Sequence, residues 1–159
     1  MIKVTVYVKQ PEYRYYRKVK KIRKFCAMVI QKAWLQKHMA EISLLLTNNE
    51  QIQELNKKYR GKDCPTNVLS FETGHRPTLK HMPWMAGDII MAYETILKEA
   101  KEQKKPFIEH FAHLLIHGTL HLQGYDHLTP EDAEEMEALE IKIMKSLGYE
   151  NPYKDLILK

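Results

Sequence analysis

Five of the eight histidines lie within one short stretch, EHFAHLLIHGTLHLQGYDH, which runs from Glu109 to His127. His113, His117 and His121 follow one another at intervals of four residues, so a helix places all three on one face, about 6 Å apart along its axis. Two neighbours at this interval can bind one metal ion, whereas the first and the third would stand about 12 Å apart. The stretch therefore predicts a helix in which one of these three histidines is not a ligand of the shared ion.

A third ligand becomes available where this helix ends. Gly124 lies three residues beyond His121 and lets the chain turn back, which brings His127 towards the same ion. The predicted ligand set is therefore His117, His121 and His127. Three protein ligands leave a tetrahedral ion with one open position, which is typical of catalytic rather than structural zinc. We expect one zinc ion per chain at this site.

The spacing H-x-x-x-H-x-x-G-x-x-H resembles the ligand frame of the metzincin proteases. Those enzymes carry Glu directly after the first His as general base, whereas this chain has Gly118, which cannot transfer a proton. Peptide hydrolysis by that mechanism is therefore not expected. The general base is left unassigned, with Asp126 and the ion's own water as candidates, and Asp126 is equally well explained as a turn residue. His110 and His113 are expected in the core or behind the ligands.

Hydrophobic periodicity separates strands from helices along the rest of the chain. The predicted strands are Ile2 to Val8, Glu41 to Thr47, Asn67 to Glu72 and Asp88 to Ala92, with a loop from Thr73 to Gly87 before the last of them. The predicted helices run from Ile22 to Ala33, from a capping box at Thr47 and Glu50 to near Gly61, from Tyr93 to about Lys104, from Pro106 to Gly124, and from an N-cap at Thr129 to Gly148.

This order of elements, β-α-β-α-β-β-α-α-α, predicts an α+β fold in which about five helices pack on a small mixed four-stranded sheet. The chain has 159 residues, close to the size of one ordinary domain, so residues 1–159 are expected to form a single domain. The apolar stretches are too short to span a membrane, and the first residues do not resemble a secretory signal. A cytoplasmic location is therefore expected. Cys26 and Cys64 are expected to stay free, because two thiols in a reducing compartment usually form no bridge.

The charge of the chain is unevenly distributed around a formal net charge of +5. Residues 1–40 contain 11 Lys and Arg against one acid, whereas residues 131–150 contain 7 acids against two lysines. The densest basic run consists of Arg14, Arg17, Lys18, Lys20, Lys21, Arg23 and Lys24. Such a run can bind a polyanion by releasing counterions from its phosphates, and it can equally well be a solvated helix face.

Three segments of the sequence resemble the YbeY family of metal-dependent endoribonucleases. They are LNKKYRGKDCPTNVLSF from Leu55 to Phe71, GDI from Gly87 to Ile89, and HGTLHLQGYDH from His117 to His127, and they occur in the family's order. The resemblance implies a zinc-dependent endoribonuclease that prefers single-stranded RNA and acts on the ribosome, in ribosomal RNA maturation and ribosome quality control. The family's metal-binding histidines match the three derived above.

The resemblance also implies a role for Arg60, which matches the family's functional arginine. A guanidinium near the metal can hold a phosphate and stabilise the charge that gathers on it in the transition state. One departure lies nearby, since the family usually reads PTDVLSF and this chain has Asn67 at the position of the acid. An essential carboxylate at that position is therefore in doubt.

The hypothesis is accordingly a metal-dependent hydrolase that cleaves RNA phosphodiesters. The alternative is a non-catalytic ribosome-assembly factor in which the metal is structural and the basic face docks on ribosomal RNA or a ribosomal protein. A coordination position open to water would favour the enzyme, and a fourth protein ligand such as Cys64 would favour the alternative.

Overall fold

A computed structural model describes residues 3–8, 19–74, 76–79 and 81–154 of the chain. Within these ranges the strands and helices follow the predicted order: β1 (Lys3–Val8), α1 (Val19–Ala33), β2 (Ala40–Thr47), α2 (Asn49–Arg60), β3 (Val68–Glu72), β4 (Trp84–Ala92), α3 (Tyr93–Glu102), α4 (Phe107–Leu122) and α5 (Pro130–Ser146). The predicted α+β fold with a mixed four-stranded sheet is confirmed. Ile2, Arg14, Arg17 and Lys18 lie outside the described residues.

The four described strands form one sheet in the order β1-β2-β4-β3. β2 pairs in parallel with both β1 and β4, whereas β3 pairs antiparallel with β4. The parallel pairs require helical crossovers, which α1 supplies between β1 and β2. β3 therefore lies at an edge of the sheet, with only β4 as a neighbouring strand.

Helices cover both faces of this sheet. Alternate residues of β2 point to one face, where Ile42, Leu44 and Leu46 are fully buried with side chains of α1 and α4. On the other face Ile52 of α2 packs with Leu69 and the end of β4. The sheet is therefore the middle layer, and the end of α2 comes close to the edge strand β3.

Helix α4 packs on β3 and β4 of the sheet and contacts α1, α3 and α5. Ten of its sixteen residues are buried, so only a narrow stripe can face outward. The helix ends at Leu122, and Gly124 follows with a φ of 98°, a conformation in which the Cβ of any other residue would be strained. Thr129 then caps α5 by accepting a hydrogen bond from the Asp132 N–H at 3.1 Å, as predicted.

Two local predictions were wrong. Thr47 does not cap α2, because it is the last residue of β2, pairs with Ala92 and is buried. The cap is Asn48, whose side chain accepts from the Gln51 N–H at 2.9 Å. Strand β4 begins at Trp84 rather than Asp88, because a register shift beside Ile42 interrupts the alternation that marks a strand.

Gly87 lies inside the segment of β4 that the sequence pattern missed. Its φ is 143°, and a Cβ built on it would stand 2.0 Å from the carbonyl oxygen of Phe71 in the neighbouring strand. We expect Gly87→Ala to lower the free energy of unfolding by about 3 kcal/mol or more, since both the strain and the backbone clash must be relieved. Gly148→Ala is the matched control, because Gly148 has a φ of 85°, but a Cβ built on it would have no atom within 4 Å apart from its two neighbours in the chain. If denaturant unfolding showed the same loss of unfolding free energy in both variants, the clash with Phe71 would not contribute.

Two further expectations concern the thiols and the membrane. Cys26 is buried, Cys64 is exposed, and both are free, as predicted. Burial raises the pKa of the Cys26 thiol to about 12. None of the helices in the described part of the chain combines the length and the apolar character that crossing a bilayer requires.

Candidate metal centre

The three histidines of the predicted ligand set converge in the structure. His117 and His121 lie one turn apart on α4, and His127 reaches them from the segment after Gly124. One ligand nitrogen of each ring lies within 4.8 Å of the corresponding nitrogen of the other two. Within the described ranges this is the one group of three or more His, Cys, Asp or Glu residues arranged in that way. Their identity as metal ligands stays a prediction.

The hydrogen bonds of the two helical histidines fix which nitrogen is free. His121 Nδ1 lies 2.9 Å from the Tyr125 carbonyl oxygen, which only accepts, so Nδ1 carries the proton of the neutral ring. His117 Nδ1 donates in the same way to a carboxylate oxygen of Glu140, at 2.9 Å. The two Nε2 atoms then face each other at 2.9 Å with their lone pairs. A cation beside this pair would relieve their repulsion, so the donor set fits a metal ion.

Burial lowers the pKa of His121 to about 4, and the neighbouring His117 and His127 act in the same direction. The ring of His121 is therefore neutral near pH 7. A neutral imidazole is the form that binds a metal ion, because the protonated ring has no free lone pair.

Glu140 of α5 is a buried carboxylate behind these ligands, and it was not among the predicted site residues. Only 1% of its surface is exposed, and it accepts hydrogen bonds from His117 and from His113 Nε2, the latter at 3.0 Å. The Tyr153 hydroxyl donates to its other oxygen at 2.8 Å. Burial alone would raise the pKa of Glu140, but the hydrogen bonds from His113 and His117 hold it at about 2. The group is therefore an anion that orients His117.

Gly118, which follows His117, faces the sheet rather than His121 and His127. A Cβ on Gly118 would lie 3.0 Å from Ser70 Oγ and 3.3 Å from Ile89 Cγ2. The close packing of α4 on β3 and β4 thus leaves no room here for the glutamate of the metzincin frame. Asp126 accepts a hydrogen bond from the Leu128 N–H at 3.3 Å, which agrees with its interpretation as a turn residue.

Arg60 and the three histidines line the same cavity, which has a volume of about 790 Å³. Arg60 is the last residue of α2, and its side chain is exposed. Its Nη2 donates to the Ser70 carbonyl oxygen at 2.9 Å, and its guanidinium lies 4.8 Å from the ring centroid of Phe71. These two contacts with β3 position a cation at the cavity. Spacing alone did not predict this proximity, which depends on where α2 ends against the sheet.

Asn67, at the position where the resemblance led us to expect an acid, also lines this cavity. Its side-chain amide donates to Glu99 at 3.0 Å, and the same carboxylate accepts from His110 Nε2 at 2.9 Å. An aspartate at position 67 would face the Glu99 carboxylate with no proton to share. The amide of Asn67 is therefore compatible with the neighbouring Glu99 carboxylate. His110 lies in the core with 5% of its surface exposed, as expected.

The cavity combines three imidazoles that could bind a metal ion with a guanidinium that could bind an anion. These groups define the class of the site, which is a candidate hydrolase site. Residues 5–148 match the family described as Endoribonuclease YbeY, and the chain belongs to this family.

Individual relatives agree with this assignment. The chain is 50% identical over 121 residues to an "Endoribonuclease YbeY" of Magnetococcus marinus, a match covering 71% of this chain and 82% of the relative. It is 48% identical over 122 residues to an "Endoribonuclease YbeY" of Sinorhizobium medicae, covering 77% and 73%. The solution structure of TM1509 from Thermotoga maritima is similar in fold, with a TM-score of 0.54 at 22% identity, covering 92% of this chain and 91% of that one.

Proposed function

We propose that this chain is a zinc-dependent endoribonuclease that prefers single-stranded RNA and acts in ribosomal RNA maturation and ribosome quality control. The observation that carries the proposal is the convergence of three imidazoles on a cavity that Arg60 also lines. The relatives in Magnetococcus marinus and Sinorhizobium medicae are named as endoribonucleases, which supports RNA as the substrate. The proposal includes a cytoplasmic location, where ribosomes are found, and one hydrolase domain over residues 1–159.

The residues of the cavity have separate roles in this proposal. His117, His121 and His127 would hold one zinc ion, which supplies Lewis acidity towards a water molecule or a phosphoryl oxygen. Arg60 binds the phosphate, because its guanidinium offers two parallel N–H donors and a positive charge. Glu140 keeps His117 in the tautomer that presents Nε2. The general base stays unassigned.

The alternative of a ribosome-assembly factor with a structural metal needs a closed coordination shell. Cys64 lines the cavity, but its sulfur is 3.9 Å from Asn56 Nδ2 and does not belong to the converging group. Three converging ligands on an open cavity favour the enzyme, because structural zinc sites normally have four protein ligands.

The test of the proposed function is RNA cleavage before and after removal of the metal. The purified chain is incubated with a labelled single-stranded RNA and with the same strand in a duplex. We expect cleavage of the single strand, loss of cleavage after chelation and recovery on adding zinc. Full cleavage by the chelated protein, or none by the zinc-loaded protein, would contradict the proposal. A His121→Ala preparation purified in parallel controls for contaminating nucleases.

A separate prediction concerns the buried carboxylate behind His117. Glu140→Gln keeps the shape of the side chain but removes its charge and replaces one acceptor oxygen with an NH2 group, which cannot accept from the donor on its side, His117 or Tyr153. We expect zinc affinity to fall about 10- to 100-fold, as measured by competition with a chromogenic chelator. Glu137→Gln is the matched control, because Glu137 is exposed on the same helix. An unchanged affinity in Glu140→Gln would mean that the carboxylate does not support the ligand.

A further inference from the structure

An exposed tyrosine stands at the end of α2, next to Arg60. Tyr59 is 53% exposed, although large aromatic side chains are usually more buried. Its ring meets the ring of Phe71 edge to face, with centroids 5.3 Å apart and an interplanar angle of 61°. Helix α2 is anchored to the sheet by the buried Ile52 and to the following loop by Asn56, which donates to the Cys64 carbonyl oxygen, so the exposed ring of Tyr59 is not needed to hold the helix.

Positive charge surrounds this ring. The Lys58 Nζ lies 5.2 Å from the Tyr59 centroid, and the Arg60 guanidinium covers Phe71. Lys57 and Lys62 are exposed in the same segment, where the Asp63 carboxylate lies 3.8 Å from the Lys57 Nζ. An exposed ring flanked by cations is complementary to a polyanion that carries flat aromatic groups.

The ring also adjoins residues of the cavity that contains the candidate metal centre. Arg60 follows Tyr59 in the chain and lines the cavity with the three histidines. Phe71, which supports the Tyr59 ring, follows Ser70, another residue of the cavity. A nucleic-acid strand whose phosphate lies at Arg60 would therefore bring an adjacent base to Tyr59, since neighbouring phosphates and bases are only a few ångströms apart.

We propose that Tyr59, supported by Phe71, is a base-stacking site for the nucleotide next to the phosphate held at Arg60. This inference rests on the proposed function and adds a physical basis for its single-strand preference. A base in a duplex is already stacked and paired, so only an unpaired base can turn onto the ring at low energetic cost. Any of the four bases can stack on the Tyr59 ring, because each base has a π face.

The experiment measures the affinity of the zinc-loaded protein for a labelled, fully 2′-O-methylated single-stranded RNA of about ten nucleotides, with a gel to verify that the probe stays intact. Tyr59→Leu keeps an apolar side chain but removes the ring, and we expect its affinity to fall about tenfold. Tyr59→Phe keeps the ring and should stay within about twofold of wild type. Met39→Ala is the control, because Met39 is 56% exposed and does not line the cavity.

A salt series separates stacking from charge. Stacking releases no counterions, so Tyr59→Leu should leave the log–log salt slope unchanged, whereas Lys58→Ala should reduce its magnitude by about 0.7. Affinity for the same strand in a duplex should not change in Tyr59→Leu. Wild-type affinity of Tyr59→Leu for the single strand, or an equal loss for strand and duplex, would overturn the stacking site. If the wild-type protein binds no single-stranded RNA, the proposed function itself fails.

Discussion

His121→Ala is expected to leave the purified chain with less than about a tenth of an equivalent of zinc, against one equivalent in the wild type. His121 is the proposed ligand with the most complete support, because Tyr125 fixes its tautomer and its Nε2 faces that of His117. Without it, two imidazoles remain, and one of them is exposed. RNA cleavage should fall at least about a hundredfold with the metal. Elemental analysis and a cleavage assay on the same preparation measure both effects.

Two other histidine variants make this result specific. His81→Ala removes an exposed histidine outside the cavity and should keep both zinc and activity. His113→Ala removes a partner of Glu140 but no ligand, so it should lose less zinc than His121→Ala. Full zinc occupancy in His121→Ala, or an equal loss in His113→Ala, would show that the ligand set is wrong.

Arg60→Ala should keep its zinc and its melting temperature but lose about 100- to 1,000-fold in the rate constant for RNA cleavage. Losses of this size are typical when one group that stabilises transition-state charge is removed. The fold should tolerate the change, because Arg60 is exposed and its contacts with Ser70 and Phe71 are made at the edge strand β3. Single-turnover cleavage by zinc-loaded protein measures the effect on the chemical step.

Arg76→Ala is the matched control for Arg60. Its guanidinium also lies over an aromatic ring, 5.5 Å from the centroid of Trp84, but Arg76 is not part of the cavity that contains the histidines. We expect wild-type cleavage from this variant, and only partial recovery from Arg60→Lys, since an ammonium cannot form the paired hydrogen bonds of a guanidinium. Unchanged cleavage in Arg60→Ala would remove Arg60 from the proposed site.

The candidate metal centre was largely predictable, because its geometry is local. His117 and His121 lie one helical turn apart, and Gly124 marks the turn that returns His127. The position of Arg60 could not be predicted from local spacing. Its place at the same cavity depends on the packing of α2 against β3, which no periodicity records, so only the family resemblance pointed to it.

Glu140 was missed although the sequence contained a signal for it. It lies four residues after Met136 and three before Ile143, so an acid occupies the apolar stripe of α5. A charged residue in a core position is rarely buried without a partner, and the partners here are His113 and His117. Residue spacing within α4 could not indicate it, because Glu140 lies on α5 and only the packing of the two helices brings it to the histidines.

The order of the elements followed from local periodicity, but their pairing did not. The parallel placement of β2 between β1 and β4 is decided by long-range packing, as is the position of β3 at the edge. The start of β4 was missed for a related reason, because the register shift beside Ile42 and the φ of Gly87 break the pattern of a regular strand.

Anomalous diffraction at the zinc edge, from crystals of the purified chain, tests the proposed metal centre most directly. We predict one zinc peak per chain, bound at about 2.1 Å by the Nε2 atoms of His117 and His121 and by one nitrogen of His127, with water in the fourth position. Absence of a peak among these three histidines would contradict the proposed site. A fourth protein ligand such as Cys64 would contradict the catalytic role and favour a structural metal.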